Sequence, residues 1–398
     1  MRPRIATARG RAFSFRYLIR RATARENPLF MHDWLATPAA LDAWLAAHPD
    51  DASAPIARVC LDTEFMRTNT FFARLALIQI GVAGAIALVD APALARMPGL
   101  AARLSSERSV CVMHSASEDL EALSAILPAG PAHLFDTQIA AAMVGLGPGL
   151  SYQKLVAALL GIDLPKSETR SDWLQRPLSA SQLEYAAHDV EHLDRLHEQL
   201  ASRLAARGRS DWHAEDCRRL VDRICAGVPD LQPQRAFRAA GDWPIEQQAQ
   251  LRRLLLWREA SARALDKPRS WLLDDAALLD LGARAPATAD ELFERTKGLR
   301  ALRSPQRHEL LNLLNSPLTA DDLSVEPIPP PPSNAEKRAV AAMKDVVDAI
   351  AIELDVPAAL LSPRRHLETL VTTREWPIAL DGWRRPLLHD ALVSRLPA

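Results

Sequence analysis

No strand signal follows Gly208: in this chain of 398 residues, every short apolar run rich in β-branched residues falls in the first half. From Pro55 to about Arg207 such runs alternate with amphipathic segments, the pattern of a sheet flanked by helices. Strands are predicted at Ile56 to Leu61, Leu75 to Val82, Ala85 to Val89, Val110 to His114 and His133 to Phe135. Gly81 to Gly84 carries a hairpin signal, so the first three strands are expected as antiparallel neighbours. The later ones, separated by helices, are expected to pair in parallel, which makes a mixed sheet. Helices are predicted from Pro92 to Leu104, Glu118 to Leu127, Thr137 to Val144 and Ser151 to Leu160, and one long helix from Ser179 to Ala206 closes the unit.

Beyond Gly208 the pattern is helical and punctuated by proline, with clear periodicity in Glu246 to Leu265 and Asp290 to Asn315. Five of the six residues from Pro327 to Pro332 are proline, the composition of a stiff extended spacer. The expected organisation is an arginine-rich flexible extension (1–30), an α/β domain (31–208), a helical connector (209–241), a helical module (242–320), a proline-rich linker (321–333) and a second, divergent helical module (334–398). The extension has no acidic residue before Glu26 and no apolar segment of the kind a signal peptide needs.

Formal net charge is −1, so any basic surface for a polyanion must be local. Cys60, Cys111, Cys217 and Cys225 form no C-x-x-C pair, which fits a reducing cytoplasm. No apolar run reaches the length of a membrane span.

Chemistry concentrates in three acidic places. Asp62-Thr63-Glu64 ends the first predicted strand, where residues two apart share a face and their carboxylates converge. Asp119 opens a helix after His114-Ser115-Ala116-Ser117-Glu118. Ser117 is the expected cap there, and Glu118 and Glu121 compete with Asp119 for a functional role. Tyr185 and Asp189, four apart on the long helix, set a phenol beside a carboxylate. D-x-E alone usually marks a solvated strand end, and a Tyr-Asp pair alone usually means a core aromatic beside a surface charge. It is the order and setting of all three that carry meaning.

Taken together, Leu61-Asp62-Thr63-Glu64-Phe65, His114 to Leu120 and Tyr185-x-x-x-Asp189 resemble the tyrosine-bearing branch of the DEDD exonuclease superfamily. Leu77-Ile78-Gln79-Ile80, Phe135-Asp136-Thr137-Gln138, Lys166 to Trp173 and Gly382-Trp383-Arg384-Arg385 are similar to the ribonuclease D family within it. Leu254 to Glu259, with Arg263, Lys267 to Arg269 and Asp290 to Leu292, resembles an HRDC domain, a substrate-binding accessory. The resemblance implies a ribonuclease-H-like α/β catalytic domain followed by two all-α HRDC-type modules. It implies a 3′-5′ exoribonuclease that releases nucleoside 5′-monophosphates from transfer RNA precursors and small structured RNAs.

It also implies two divalent ions, Mg²⁺ or Mn²⁺, the hard cations that carboxylate oxygens suit. Asp62 would bridge both, Glu64 and Asp189 would complete the site that activates water, and Asp119 would serve the other. Tyr185 would orient the attacking water, since a phenol of ordinary pKa about 10 is a poor base at neutral pH. Phe65, His114, Asp136, Lys166, Arg170 and Trp173 are the residues expected near the substrate strand, with capping and burial as the alternatives. A monomer is expected, with no obligatory protein partner.

Two rival readings deserve a test. His188-x-x-Glu191-His192 also fits the H-x-x-E-H pattern of inverted zinc peptidases. A nucleic-acid binder without catalysis would use the arginines around Trp257, which are expected to be exposed, while Trp257 and its leucines pack.

Overall fold

The computed structural model describes residues 32–49, 56–165 and 171–397. It divides into two compact units. One comprises residues up to Met66, Leu75–Ala226 and Asp355–Leu360. The other comprises Arg67–Arg74, Gly227–Leu354 and the chain from Leu361 onward.

The first unit is built on a six-stranded sheet of order β1-β4-β3-β2-β5-β6. The strands are β1 (His32–Leu35), β2 (Ala57–Met66), β3 (Arg74–Val82), β4 (Ala85–Asp90), β5 (Ser109–Met113) and β6 (His133–Asp136). β3 and β4 are antiparallel across a two-residue turn, Ala83-Gly84, where both residues have positive φ as a tight hairpin requires. β2–β5, β5–β6 and β1–β4 are parallel, so the sheet is mixed. β1 has no counterpart in the sequence reading, because His-Asp-Trp-Leu is too short and too polar to register as a strand; its pairing with β4 supplies what its composition does not.

Helices α1 (Pro38–Ala47), α2 (Pro98–Leu104) and α3 (Ser117–Leu123) cover one face. Val59, Leu61, Ile78, Ile80, Ala87 and Val89 of the sheet meet Leu41, Trp44, Leu100 and Leu120 there in the main apolar core. The helix predicted from Pro92 begins only at Pro98, with a single 3₁₀ turn at Ala91–Ala93 before it. After α4 (Thr137–Met143) and α5 (Tyr152–Leu160), the other face is covered by α6 (Ala180–Glu191) and α7 (Leu193–Ala206), and α8 (Ser210–Cys225) follows. Gly81 permits this packing, since a Cβ there would lie 3.2 Å from the Cys60 Cβ and 3.6 Å from the Val190 carbonyl oxygen of α6.

The long helix predicted from Ser179 to Ala206 is two helices that break at His192. The cause is a side chain inserted in the helical ladder. The Tyr152 hydroxyl donates to the His188 carbonyl (2.9 Å) and accepts from the His192 N–H (3.2 Å), the two groups that would otherwise bond each other. The helix start follows prediction: Ser179 and Gln182 form a reciprocal capping box.

The second unit is helical. Helix α9 (Ile245–Leu265) buries Leu251, Leu254, Leu255 and Trp257 in a core shared with Leu278, Leu281 and Leu310. The proline-rich stretch is strapped down within this unit rather than standing free: Ile328 is 2% exposed and its N–H donates to Gln248 Oε1 (2.7 Å). Arg258, expected on the surface, is largely buried against Asp275 and the Leu273 carbonyl. Arg263 and Arg269 are half exposed, but both pair with Glu259 and lie over the Phe71 ring. The basic face there is correspondingly reduced. Among the described residues no helix is long and apolar enough to cross a membrane.

Candidate active site

Strand alternation puts Asp62 and Glu64 on the same face of β2 as Cys60, the face on which α6 packs. Val190 of α6 lies against Gly81 and Cys60, which brings Asp189 to the end of β2 that carries the two acids. Tyr185, one turn earlier, hydrogen-bonds Asp189 through its hydroxyl. Asp119 arrives from α3 and is fixed by the hydroxyl of Thr63, which donates to Asp119 Oδ1. Asp119 is 8% exposed, whereas Glu118 and Glu121 are exposed, so the geometry selects among the three acids.

The four carboxylates feel one another. Burial raises Asp62 well above the usual carboxylate range, and Asp119, Asp189 and Glu64 push it further. Glu64 is pushed up to about 8 by burial and by the charges of Asp189 and Asp119. Asp189 rises to about 7 through burial, against the opposing hydrogen bond from Tyr185. Asp119 rises to about 6 through burial, held back by Thr63. The Tyr185 phenol is raised as well, first by burial and then by the negative charges of Asp189, Glu64 and Asp62.

Among the described residues no three His, Cys, Asp or Glu side chains are drawn in to metal-ligand spacing. The donor set nevertheless fits a hard dication. Asp189 Oδ2 is buried and has no hydrogen-bond partner, an arrangement that costs free energy unless a cation or donor meets it. Four carboxylates in mutual repulsion supply only oxygen, the ligand type that magnesium and manganese take.

Asp136 is occupied in a way that explains how Asp119 is aimed. Its carboxylate, on a residue 2% exposed, accepts from the N–H groups of Ser115 (3.2 Å), Ala116 (2.9 Å), Gln138 (2.8 Å) and Ile139 (3.2 Å). It therefore caps α4 and also clamps the turn entering α3, where Ser115 takes a left-handed φ of 60° that a non-glycine residue adopts only under constraint. The expected Ser117 cap is replaced by this clamp: Ser117 is the first helical residue, and no side chain caps α3.

Trp173 is 3% exposed, with its ring 5.9 Å from that of Tyr185, which it backs. The His114 ring nitrogens meet the Thr137 hydroxyl (2.9 Å) and the Leu150 carbonyl (3.0 Å). Phe65 is half-buried on the Thr63 side of β2. Lys166 and Arg170 lie outside the described residues.

The H-x-x-E-H pattern is turned in on itself. Glu191 Oε2 lies 2.9 Å from His188 Nδ1 and 3.4 Å from His192 Nε2, and the helix ends between the two histidines. A glutamate held by both imidazoles does not serve as the base of a zinc centre they would share.

Sequence reasoning passed over Thr63 and Tyr152. Thr63 stands in the middle of the acidic pair, and its alternation to the other face was readable. Tyr152 had only a compositional signal, being one of three tyrosines in the chain.

Comparison with known proteins gives a consistent result. The 3′-5′ exonuclease family matches residues 34–205 and the HRDC domain family matches residues 247–303. Ribonuclease D of Xanthomonas oryzae pv. oryzae is 39% identical over 92% of this chain and 99% of its own length. Ribonuclease D of a Shewanella species is 31% identical over 93% and 95%. Among solved structures, Escherichia coli RNase D, described as an exoribonuclease involved in structured RNA processing, aligns with a TM-score of 0.76 at 27% identity over 92% of this chain and 98% of that one.

Proposed function

Because the chain belongs to the ribonuclease D family and is a divalent-metal-dependent 3′-5′ exoribonuclease, we propose that Asp62, Glu64, Asp119 and Asp189 hold its metal ions and that Tyr185 serves the same centre. The ions are two, Mg²⁺ or Mn²⁺, and when bound they supply Lewis acidity toward the scissile phosphate and its attacking water. The buried, unpartnered Asp189 Oδ2 among three other acids is the observation that carries this reading. β2 presents Asp62 and Glu64 as one rigid pair, the Asp136 clamp and Thr63 aim Asp119, and the kink at His192 sets Asp189. Tyr185, held protonated by burial and by its acidic neighbours, donates its one proton to Asp189 and orients water through its oxygen without taking a proton from it.

The substrates we assign are transfer RNA precursors and small structured RNAs with short 3′ tails, in the cytoplasm, with nucleoside 5′-monophosphates as product. Support comes from the structured-RNA role of the Escherichia coli enzyme and from four unpaired cysteines. Phe65 is the aromatic surface we assign to the terminal base, and Lys166 and Arg170 remain candidate contacts to the strand. His114, Asp136 and Trp173 support the site from behind.

A 5′-labelled oligoribonucleotide tests this. The protein with Mg²⁺ or Mn²⁺ is expected to shorten it one nucleotide at a time from the 3′ end, faster than its 2′-deoxy equivalent. Asp62→Asn and Asp189→Asn are each expected to slow it at least about 100-fold, since each removes a ligand of the reacting centre, without lowering the unfolding midpoint. Wild-type rates in both variants would end the assignment.

A further inference from the structure

The sheet face that carries Asp62 and Glu64 continues across β3 and β4 to the edge strand β1, and there it opens into a separate cavity of about 730 Å³. Register fixes what lines it. His32 stands opposite Ile86, and Gly81 stands opposite the same residue; Trp34 and Gln79 both stand opposite Leu88. His32 and Trp34 therefore share the face of Gly81, the face on which α6 lies, and α6 adds Leu183 as a wall.

Two features make this a built pocket. His32 is 3% exposed, yet neither ring nitrogen has a hydrogen-bond partner, so a polar group has been buried where it would ordinarily be destabilising. Burial holds its pKa below the ordinary imidazole value, which keeps the ring neutral, with one N–H to donate and one nitrogen to accept. The second feature is Arg176 at the rim, its guanidinium carbon 5.6 Å from the Trp34 ring centroid. Its donors already go to Asp90 and to the carbonyls of Ala76, Trp173 and Gln175, which leaves no charge for a phosphate. Asp90, paired with Arg176, also lines the cavity, and the remaining walls, Pro177, Leu178, Ala180 and Leu183, are apolar. Such a mixture, largely apolar with one neutral donor-acceptor group and an aromatic ring, suits a flat uncharged heterocycle.

We propose that this cavity binds a nucleobase, its edge paired with the His32 imidazole and its face set among Trp34, Leu178 and Leu183. The choice of a nucleobase rests on the exoribonuclease reading; the cavity and its unpartnered imidazole do not. The base comes either from a released nucleoside 5′-monophosphate or from the RNA strand itself.

The test uses the full chain in EDTA, so that the carboxylate centre holds no metal-dependent ligand. Calorimetric titration with the four nucleosides and their 5′-monophosphates forms one arm. An oligoribonucleotide with 2-aminopurine scanned along its length forms the other. His32→Phe and Trp34→Leu are each expected to weaken binding about tenfold, the size of one lost hydrogen bond or one lost stacking contact at a buried site. His32→Phe should melt no lower than wild type, because it removes an unsatisfied polar group, and this shows that the variant folds. Binding of the free monomers with that sensitivity supports the cavity as a product site. Sensitivity at one position of the oligonucleotide alone supports a strand-binding site. No binding in either arm, or binding unchanged by both substitutions, overturns the proposal. RNA shortening by the metal-loaded protein is read separately, so failure of the nuclease assignment and failure of the pocket give different results.

Discussion

Tyr152→Phe removes one oxygen and leaves the ring, with its edge-on contact to His114 at 5.8 Å, in place. That oxygen donates to the His188 carbonyl and accepts from the His192 N–H, bridging the two across the break between α6 and α7. If the kink persists in the variant, the His188 carbonyl and the His192 N–H each lose one hydrogen bond, at about 0.5–1.5 kcal/mol each or about 1–3 kcal/mol together. If the helix closes instead, the His188 carbonyl recovers the His192 N–H and stability falls by only about 1 kcal/mol, but α6 straightens and redirects Asp189. Activity suffers on the second branch, since a displacement of about 1 Å at a reacting centre costs about 100-fold. Urea unfolding followed by circular dichroism, with single-turnover shortening of a 5′-labelled oligoribonucleotide, measures both quantities on one preparation. A variant within about 0.5 kcal/mol of wild type that also cleaves at the wild-type rate would refute the view that this hydroxyl makes the break and that the break sets Asp189.

Asp136→Ala leaves four backbone N–H groups without their acceptor and is expected to destabilise the protein by about 3–5 kcal/mol in urea unfolding, with cleavage lost in step as Asp119 loses its turn. Tyr185→Phe should lower kcat without removing an alkaline limb from its pH profile, because a protonated phenol orients rather than titrates; a rate equal to wild type would remove its role. In the metal-free protein Asp119, Asp189 and Glu64 retain protons up to about 6, 7 and 8, protons that the unfolded chain releases nearer pH 4, so stability should fall as pH rises from 5 to 8. Each retained proton contributes about 1.4 kcal/mol per pH unit to that slope, and millimolar Mg²⁺ should flatten it; a melting midpoint in EDTA that rises over this range would contradict the picture.

Much of the site was legible because its parts are local. The pairing of Asp62 with Glu64 follows from strand alternation, and the spacing of Tyr185 and Asp189 follows from one helical turn, so neither needs tertiary knowledge. Five of the six strands were readable from short apolar runs for the same reason. What was not legible depends on partners distant in the chain. β1 is a strand only because β4 accepts it. The break at His192 is made by a hydroxyl 40 residues earlier, and nothing in the helical periodicity of Ser179 to Ala206 announces it. Asp136 reads as a plausible substrate contact from its motif, yet its carboxylate is spent on two turns 20 residues apart. Arg258 reads as surface charge, yet it is largely buried and bonds the Leu273 carbonyl and Asp275.

The residues that aim the acids are themselves well satisfied, and the acids are not. Thr63, Asp136 and Tyr152 all complete their hydrogen bonds inside the protein, whereas Asp189 keeps an oxygen without a partner and, beyond burial, the charges of Asp119 and Asp189 raise both Asp62 and Glu64. A fold that wanted only stability would neutralise one of the four, because apolar replacement of buried charge is often neutral or stabilising by about 1–4 kcal/mol. Holding four like charges at fixed positions on rigid elements is favourable only when something of opposite charge completes the set. The binding free energy of a dication is then what offsets the repulsion among the four. On this argument Asp62→Asn and Asp189→Asn should each stabilise the metal-free protein while abolishing cleavage, a combination that residues serving structure alone would not give.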